Sequence, residues 1–491
     1  MLKRIKTTKK LMLVLLLTAG PSVSEPWLDT RDAGLRADIE RLSAAGAVTV
    51  PINTWPLMWS GILNDLEAFD AQQYPNLQAS YGRVMAVGSR ALRTTAYSAS
   101  AKLSFASDSE LLRHFGGDSR DEGSLRLRRS GLSKHFAYNL ELTQVNNPWD
   151  GDQTHYDNSY FGFAWGNWIG LIGKIEKWWG PGWNSSLILS NNARPTPGLM
   201  VQRNYSDKSE LPLIKWLGPW TTSLFVSKLD DQRHIDNAKL VGMTLGFRPR
   251  QSVEINLRRT AQWGGEGRPE GLKSFIELVT GIADNCETAE CRVDEPGNQL
   301  GAIDISWTPA WLGGTVYVQS VGEDESGALP SRSSRQYGFK KGLDTRFING
   351  QLFIEHDNTS TVSFSNHYNI LYNHGIYQTG YRYQGRVIGA TWDNDSKITS
   401  IGVMGYLNNG DAVEARLSRG DINKESIDSA PSLHSITTQG GAFNSLSAKW
   451  QRSFTWGKAE VQGRYIDSLL DEFGRQDNHL SIGGSLTVQF E

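Results

Sequence analysis

From Thr95 to the end of the chain, apolar and polar side chains alternate with a period of two, stretch after stretch. In GLSKHFAYNLELTQV, Phe136, Tyr138, Leu140 and Leu142 share one face, and Ala137, Asn139, Glu141 and Thr143 share the other. The pattern returns in AKLVGMTLGF, with Val241, Met243, Leu245 and Phe247, and in SVEINLRRT, where Val253, Ile255 and Leu257 oppose Glu254, Asn256 and Arg258. It recurs in DAVEARLSR and closes the chain in HLSIGGSLTVQF, with Leu480, Ile482, Leu486, Val488 and Phe490 on one face. A period of two is the pleat of a β-strand, so this part of the chain is expected to be antiparallel sheet.

Two architectures hold such strands. A soluble sandwich alternates as well, with a polar outer face. Against it, the pattern runs on without a domain break, many strands approach the nine to eleven residues of a membrane strand, and Phe490 near the end resembles the terminal aromatic of outer-membrane barrels. Only 39% of residues are hydrophobic. A large barrel tolerates that, because half of each strand faces a wet or filled lumen, where Glu254, Arg258, Glu414 and Arg416 can find partners. At roughly 22 residues per strand and connection, the stretch allows about 16 to 20 strands, a size that leaves an open lumen unless something fills it. The expected fold is therefore mainly β, a large closed antiparallel transmembrane β-barrel over residues 95–491.

The N-terminus supplies an export signal and a filler. Lys3, Arg4, Lys6, Lys9 and Lys10 precede the apolar run Leu11 to Leu17, and Ser22 and Ser24 mark a cut before Glu25, so residues 1–24 read as a signal peptide. The run is shorter than the ~20 residues a membrane helix needs. Residues 25–94 change period. Leu35, Ile39 and Leu42 lie on one helical face before Gly46; Asn53 or Thr54 is expected to cap a second helix entering through Pro56; a third runs from Pro75 through Val84 to Leu92. Three short helices are too few to be stable alone and are expected to dock in the barrel.

The stretch KWWGPGWNSS places Trp178, Trp179 and Trp183 around Gly180-Pro181-Gly182. Three readings stay open: an aromatic girdle and turn at the membrane boundary, a sugar-stacking platform with Asn184, Asn191, Asn192 or Arg194 supplying hydrogen bonds, or a dock for the plug. In SRSSRQYGFKK, read as a loop, Arg332, Arg335, Lys340 and Lys341 join positive charge to the ring of Tyr337, a contact suited to an acidic polysaccharide or, more blandly, solvated loop charge. Cys286 and Cys291 sit in a polar stretch of an exported chain, which predicts a local disulfide in an extracellular loop. Two sulfurs without a histidine make a poor zinc site, and no metal or other cofactor is expected. A net charge of -2 gives no sign of a nucleic-acid binder.

LRADIERLSAAGAVTVPINTWPLMWSGI (residues 35–62) and GKIEKWWGPGWNSSLILSNNARPTPGL (residues 173–199) resemble the Wzi-type capsule assembly proteins of Gram-negative bacteria. The resemblance implies an outer-membrane barrel of about eighteen strands. It further implies a helical bundle at the periplasmic mouth and a surface lectin that helps hold capsular polysaccharide, with outer-membrane lipid around it. Contact with the polysaccharide export machinery and a monomeric state belong to the same expectation. The family is not known for enzymatic activity, and no nucleophile elbow, paired-carboxylate motif or phosphate loop stands out. The runner-up readings are a passive porin, which has no need of the helices, and a lipid-modifying enzyme, which needs a Ser/His pair facing the lipid.

Overall fold

The computed structural model describes residues 24–94, 97–117, 120–280, 297–323, 332–362, 366–425, 433–470 and 476–490. Residues 1–23, within the segment read as a signal peptide, and the pair Cys286 and Cys291, for which a disulfide is expected, lie outside the described residues.

Eighteen antiparallel strands, from Tyr97–Ala106 to Gln476–Phe490, pair each with the next, and the last returns to the first with Phe490 opposite Ala99. The two-residue pieces Thr154–His155 and Asn366–His367 extend ladders at one end, where their flanking strands also pair directly. The sequence period appears as two faces. Along Phe136–Asn146, Phe136, Leu140 and Leu142 are exposed on the outer wall, while Ala137, Asn139, Glu141 and Thr143 are buried toward the lumen. The last strand repeats this, with Leu480, Ile482 and Leu486 outward. Among the described residues no helix is long and apolar enough to cross a membrane; the crossing is made by strands.

One end of the barrel carries short turns such as 251–252 and 345–347, the other long connections such as 107–122, 175–196 and 363–396. In outer-membrane barrels the short turns are periplasmic and the long loops external. The helices α1 (Ala33–Ala44), α2 (Trp59–Glu67) and α3 (Gln78–Ala91) lie at the periplasmic end. There Arg83 grips Asp38 at 2.7 Å and reaches Asn349 at 2.8 Å, beside the 345–347 turn. Asp32 caps α1 by accepting from Leu35 N, and Gly46 ends the segment at φ +84°. The expected cap at Asn53 or Thr54 is absent. Residues 51–58 are extended instead, because Glu254 of the wall accepts the Ile52 and Asn53 amides and Thr54–Trp55 pairs as a strand with Trp178–Trp179. A fourth helix, α4 (Leu272–Thr280), lies outside the barrel, its Leu278 and Phe275 against Val241, Ala261 and Trp263.

Long external connections fold inward to meet the helices, so the lumen is filled from both ends. Their apolar residues form two cores, one around Trp55, Trp59, Trp178, Trp183 and Phe353, the other around Trp179, Leu187, Tyr372, Tyr377 and Tyr381. Several polar wall residues find partners across this interior. Arg258 binds Asp304 of the adjacent strand and donates to Asn53 O at 2.8 Å. Glu254, four residues nearer the periplasmic turn on the same face, serves the plug amides instead. Glu414 and Arg416 do pair, at 3.0 Å.

Glu40 of α1 joins the most pieces. Its carboxylate accepts from Arg36 Nε at 3.0 Å, Lys340 Nζ at 2.8 Å, Gln351 Nε2 at 2.8 Å and Trp183 Nε1 at 3.1 Å. Removing one member of a buried ion pair strands the other, at about 3–5 kcal/mol. Glu40→Ala is therefore expected to lower the melting temperature of the helical signal in detergent well below that of the barrel's β signal, with Glu40→Gln milder; identical melting of both signals in variant and parent contradicts the role.

Candidate functional site

The strand Trp168–Lys174 rises to the external end, and the chain then turns inward rather than running along the membrane boundary. Trp178, Trp179 and Trp183 are fully buried, which corrects the girdle reading and leaves no ring face open to a sugar. They dock the plug. Arg36 is sandwiched 4.2 Å from both the Trp183 and Phe115 rings and donates to Pro181 O and Gly182 O at 2.9 and 2.8 Å. Glycine is required at 182 because a Cβ there would overlap Ser185 O and the Gln336 amide. Glu355 of the wall accepts the backbone amides of Trp183, Asn184 and Ser185 together with the Tyr317 hydroxyl. Asn184 is likewise buried, its amide on Ser418 Oγ at 3.3 Å.

The basic segment 332–341 is also placed otherwise than expected. It is a strand, Ser333–Asp344, not a loop, so its side chains divide between two surfaces. Lys340 is buried in the lumen on Glu40, whereas Arg335, Tyr337 and Lys341 face out along the wall, and Arg332 sits just before the strand. No single sugar contact can hold all five.

A different site opens at the outer mouth and runs inward along the wall as far as Glu414. Between residues 106–121 and the strands Ala412–Ile422, Gly441–Phe454, Gly457–Leu470 and Gln476–Phe490 lies a cleft of about 850 Å³, part of it open to solvent. Its lining sets Arg120, Arg416, Lys449 and Arg464 against Asp108, Glu110, Asp121 and Glu414, with His114, His479 and Ser481 between. Most of these charges are already matched: Arg464 pairs with Glu110, Lys449 with Glu414, and His479 Nδ1 lies 2.8 Å from Asp108 Oδ2. A balanced lining of donors and acceptors suits hydroxyl groups, which both give and take hydrogen bonds, better than it suits a bare anion.

A second depression of about 410 Å³ adjoins it, sharing Glu110, Arg120 and Asp121 and adding Trp149, Asp150, His155, Arg194, Tyr383, Gln384 and Arg386. Arg194 lines this depression as a buried guanidinium, clamped by Asp157 at 2.9 and 3.0 Å and by Asp150. Burial pushes the Asp150 carboxyl up, but His155, 3.7 Å away, and the Arg194 guanidinium on it outweigh this and hold it well below the usual carboxylate range. Trp149 is half exposed, 51%, with the Arg386 guanidinium 4.9 Å from its ring, and Tyr156 nearby in sequence is exposed too. Sequence reading missed Trp149, although a lone tryptophan in the polar run NNPWDGD was a readable signal.

Among the described residues, the lipid-facing wall sets a base beside a hydroxyl at His356, whose Nδ1 is 2.9 Å from Thr399 Oγ1. Among the described residues no side chain hydrogen-bonds His356 Nε2, so nothing orients the ring as a general base.

His114, on the inward segment under the cleft, donates from Nδ1 to Asn184 O at 2.9 Å. Burial, and then the nearby charges of Arg416 and Arg464, push its pKa well below 6.5. The unfolded chain therefore takes up the proton first, so docking of this segment is fully stable above about pH 6.5 and weakens as the pH falls through that value. Limited proteolysis of the folded protein against pH is expected to show faster cutting near residues 107–117 as the pH drops from 7.5 to about 5, and His114→Gln to flatten that dependence.

A family model for the capsule assembly protein Wzi matches residues 92–466. A Klebsiella pneumoniae protein described as an uncharacterized 55.8 kDa protein in the cps region is 31% identical over 329 residues, 65% of this chain. The match spans 62% of that relative's length. Among solved structures, Wzi of Escherichia coli, described as an outer membrane protein involved in group 1 capsule assembly and a carbohydrate-binding β-barrel, superposes with a TM-score of 0.81. It is 23% identical, with 95% of this chain and 100% of that one covered, a likeness that establishes a common fold. The matched family span takes in most of the barrel and the inward segments that close it, and the protein belongs to the capsule assembly protein Wzi family.

Proposed function

We propose that this outer-membrane barrel binds capsular polysaccharide at its external mouth and helps hold the capsule at the cell surface. The observation that carries the reading is the pair of adjoining polar depressions entered from the external end, with Trp149 in the second as a stacking face and paired charges as hydrogen-bonding groups. The passive porin needs a continuous water path, and the two apolar cores in the lumen weigh against it. The lipid-active enzyme needs an oriented base, and the geometry of His356 weighs against that. The export machinery is the natural source of the polymer, and a complex with it is a further expectation of the same reading.

Affinity for a polymer accumulates from repeated weak contacts, which hides single substitutions, so the test uses one repeat unit as well as the whole chain. The purified protein in detergent is expected to bind the repeat-unit oligosaccharide of its own strain's capsule in preference to that of an unrelated strain. Trp149→Ala and the double variant Asp108→Asn, His479→Gln are each expected to weaken that binding about tenfold, or ~1.4 kcal/mol. Full affinity in both variants would move the site elsewhere, and no binding of either saccharide by the parent would overturn the function.

A further inference from the structure

In the lumen, cations are met by carboxylates or carbonyls. On one side of the outer wall they are not. Four neighbouring strands, Ser333–Asp344, Ile348–Val362, Lys397–Leu407 and Ala412–Ile422, turn alternate residues to the lipid, and their register sets those residues in rows. Phe339 faces Ile354, Ile354 faces Ile401, and Ile401 faces Leu417, the last three well exposed: this is the apolar band. Two residues nearer the outer mouth, His356 faces Thr399 and Thr399 faces Arg419. Two residues beyond that, Arg335 faces Asn358 and Asn358 faces Lys397.

Directly opposed residues have Cβ atoms about 5 Å apart and neighbouring strands run ~4.8 Å apart, so Arg335, Lys397 and Arg419 share one patch. Among the described residues none of the three forms an ion pair; Arg335 donates only to Ser333 Oγ at 3.2 Å. Asp421, opposite Lys397, is the carboxylate of these rows, and the set stays positive. Unpaired charge on a lipid-facing wall is costly in the hydrocarbon and tolerated at headgroup level, where guanidinium and ammonium groups meet phosphate oxygens.

We infer that Arg335, Lys397 and Arg419, with the Asn358 amide between them, form a binding site for a phosphorylated lipid headgroup of the outer leaflet, immediately above the apolar band that seats its acyl chains. The continuity of the patch with the exposed row Ile354, Ile401 and Leu417 selects a lipid over a soluble polymer, which meets the barrel at its mouth.

The test titrates the full-length protein in detergent with a bisphosphorylated glucosamine glycolipid, the same lipid stripped of phosphate, and inorganic phosphate. Wild type is expected to bind the phosphorylated lipid at least tenfold more tightly than the stripped one, with inorganic phosphate competing only weakly. The triple variant Arg335→Gln, Lys397→Gln, Arg419→Gln is expected to lose that preference, while Lys341→Gln, toward the other end of the same wall, keeps it. Equal binding of the two lipids by wild type overturns the proposal without reliance on any variant. So does inorganic phosphate competing as well as the lipid, which would mark a plain phosphate site, and so does an undiminished preference in a folded triple variant.

Discussion

A carboxylate buried inside the barrel toward its periplasmic end, Glu40, holds the structure's separate parts to one another. It belongs to α1, yet its partners are a lysine and a glutamine on two wall strands and the indole of an inward loop. Burying a charge is costly unless it is met by opposite charge and hydrogen bonds, so each partner must be in place for any to be tolerated. Arg36, one turn earlier, repeats the logic by joining Glu40 to the Pro181 and Gly182 carbonyls. Plug, wall and external loop thus specify one another's positions.

With the centre of the barrel occupied, what the protein presents to the outside is its mouth. The inward loops that fill the lumen also shape the two depressions, since Asp108, Glu110, His114 and Arg120 line the cleft on one side while Phe115 packs on Trp55, Trp178 and Trp183. Packing in the plug and recognition at the rim therefore rest on one segment. The outer wall adds a separate surface, where register sets basic residues just above an apolar band.

Much of the fold was legible because period two in a long chain admits few architectures, and Leu480, Ile482 and Leu486 face the lipid as their spacing implied. The first helix was legible from Leu35, Ile39, Leu42 and Gly46. The site was not, and the reasons are physical. Trp178, Trp179 and Trp183 carry the same signal whether they meet lipid, sugar or a plug, and only the inward fold of a long loop decides among these. The segment 332–341 read as a loop because its charges hid the alternation: Lys340 points to a carboxylate 300 positions away in the sequence, Glu40, which no local pattern announces. Trp149 was passed over because a single exposed ring leaves no period at all.

Electrical conductance of the purified protein in a planar bilayer reports whether the barrel is closed by its own chain. A barrel filled from both ends is expected to give no steady open-channel current at moderate voltage. A stable, reproducible conductance in the unmodified protein would contradict the account, because it requires a continuous water path where the Glu40 junction and the two apolar cores now stand.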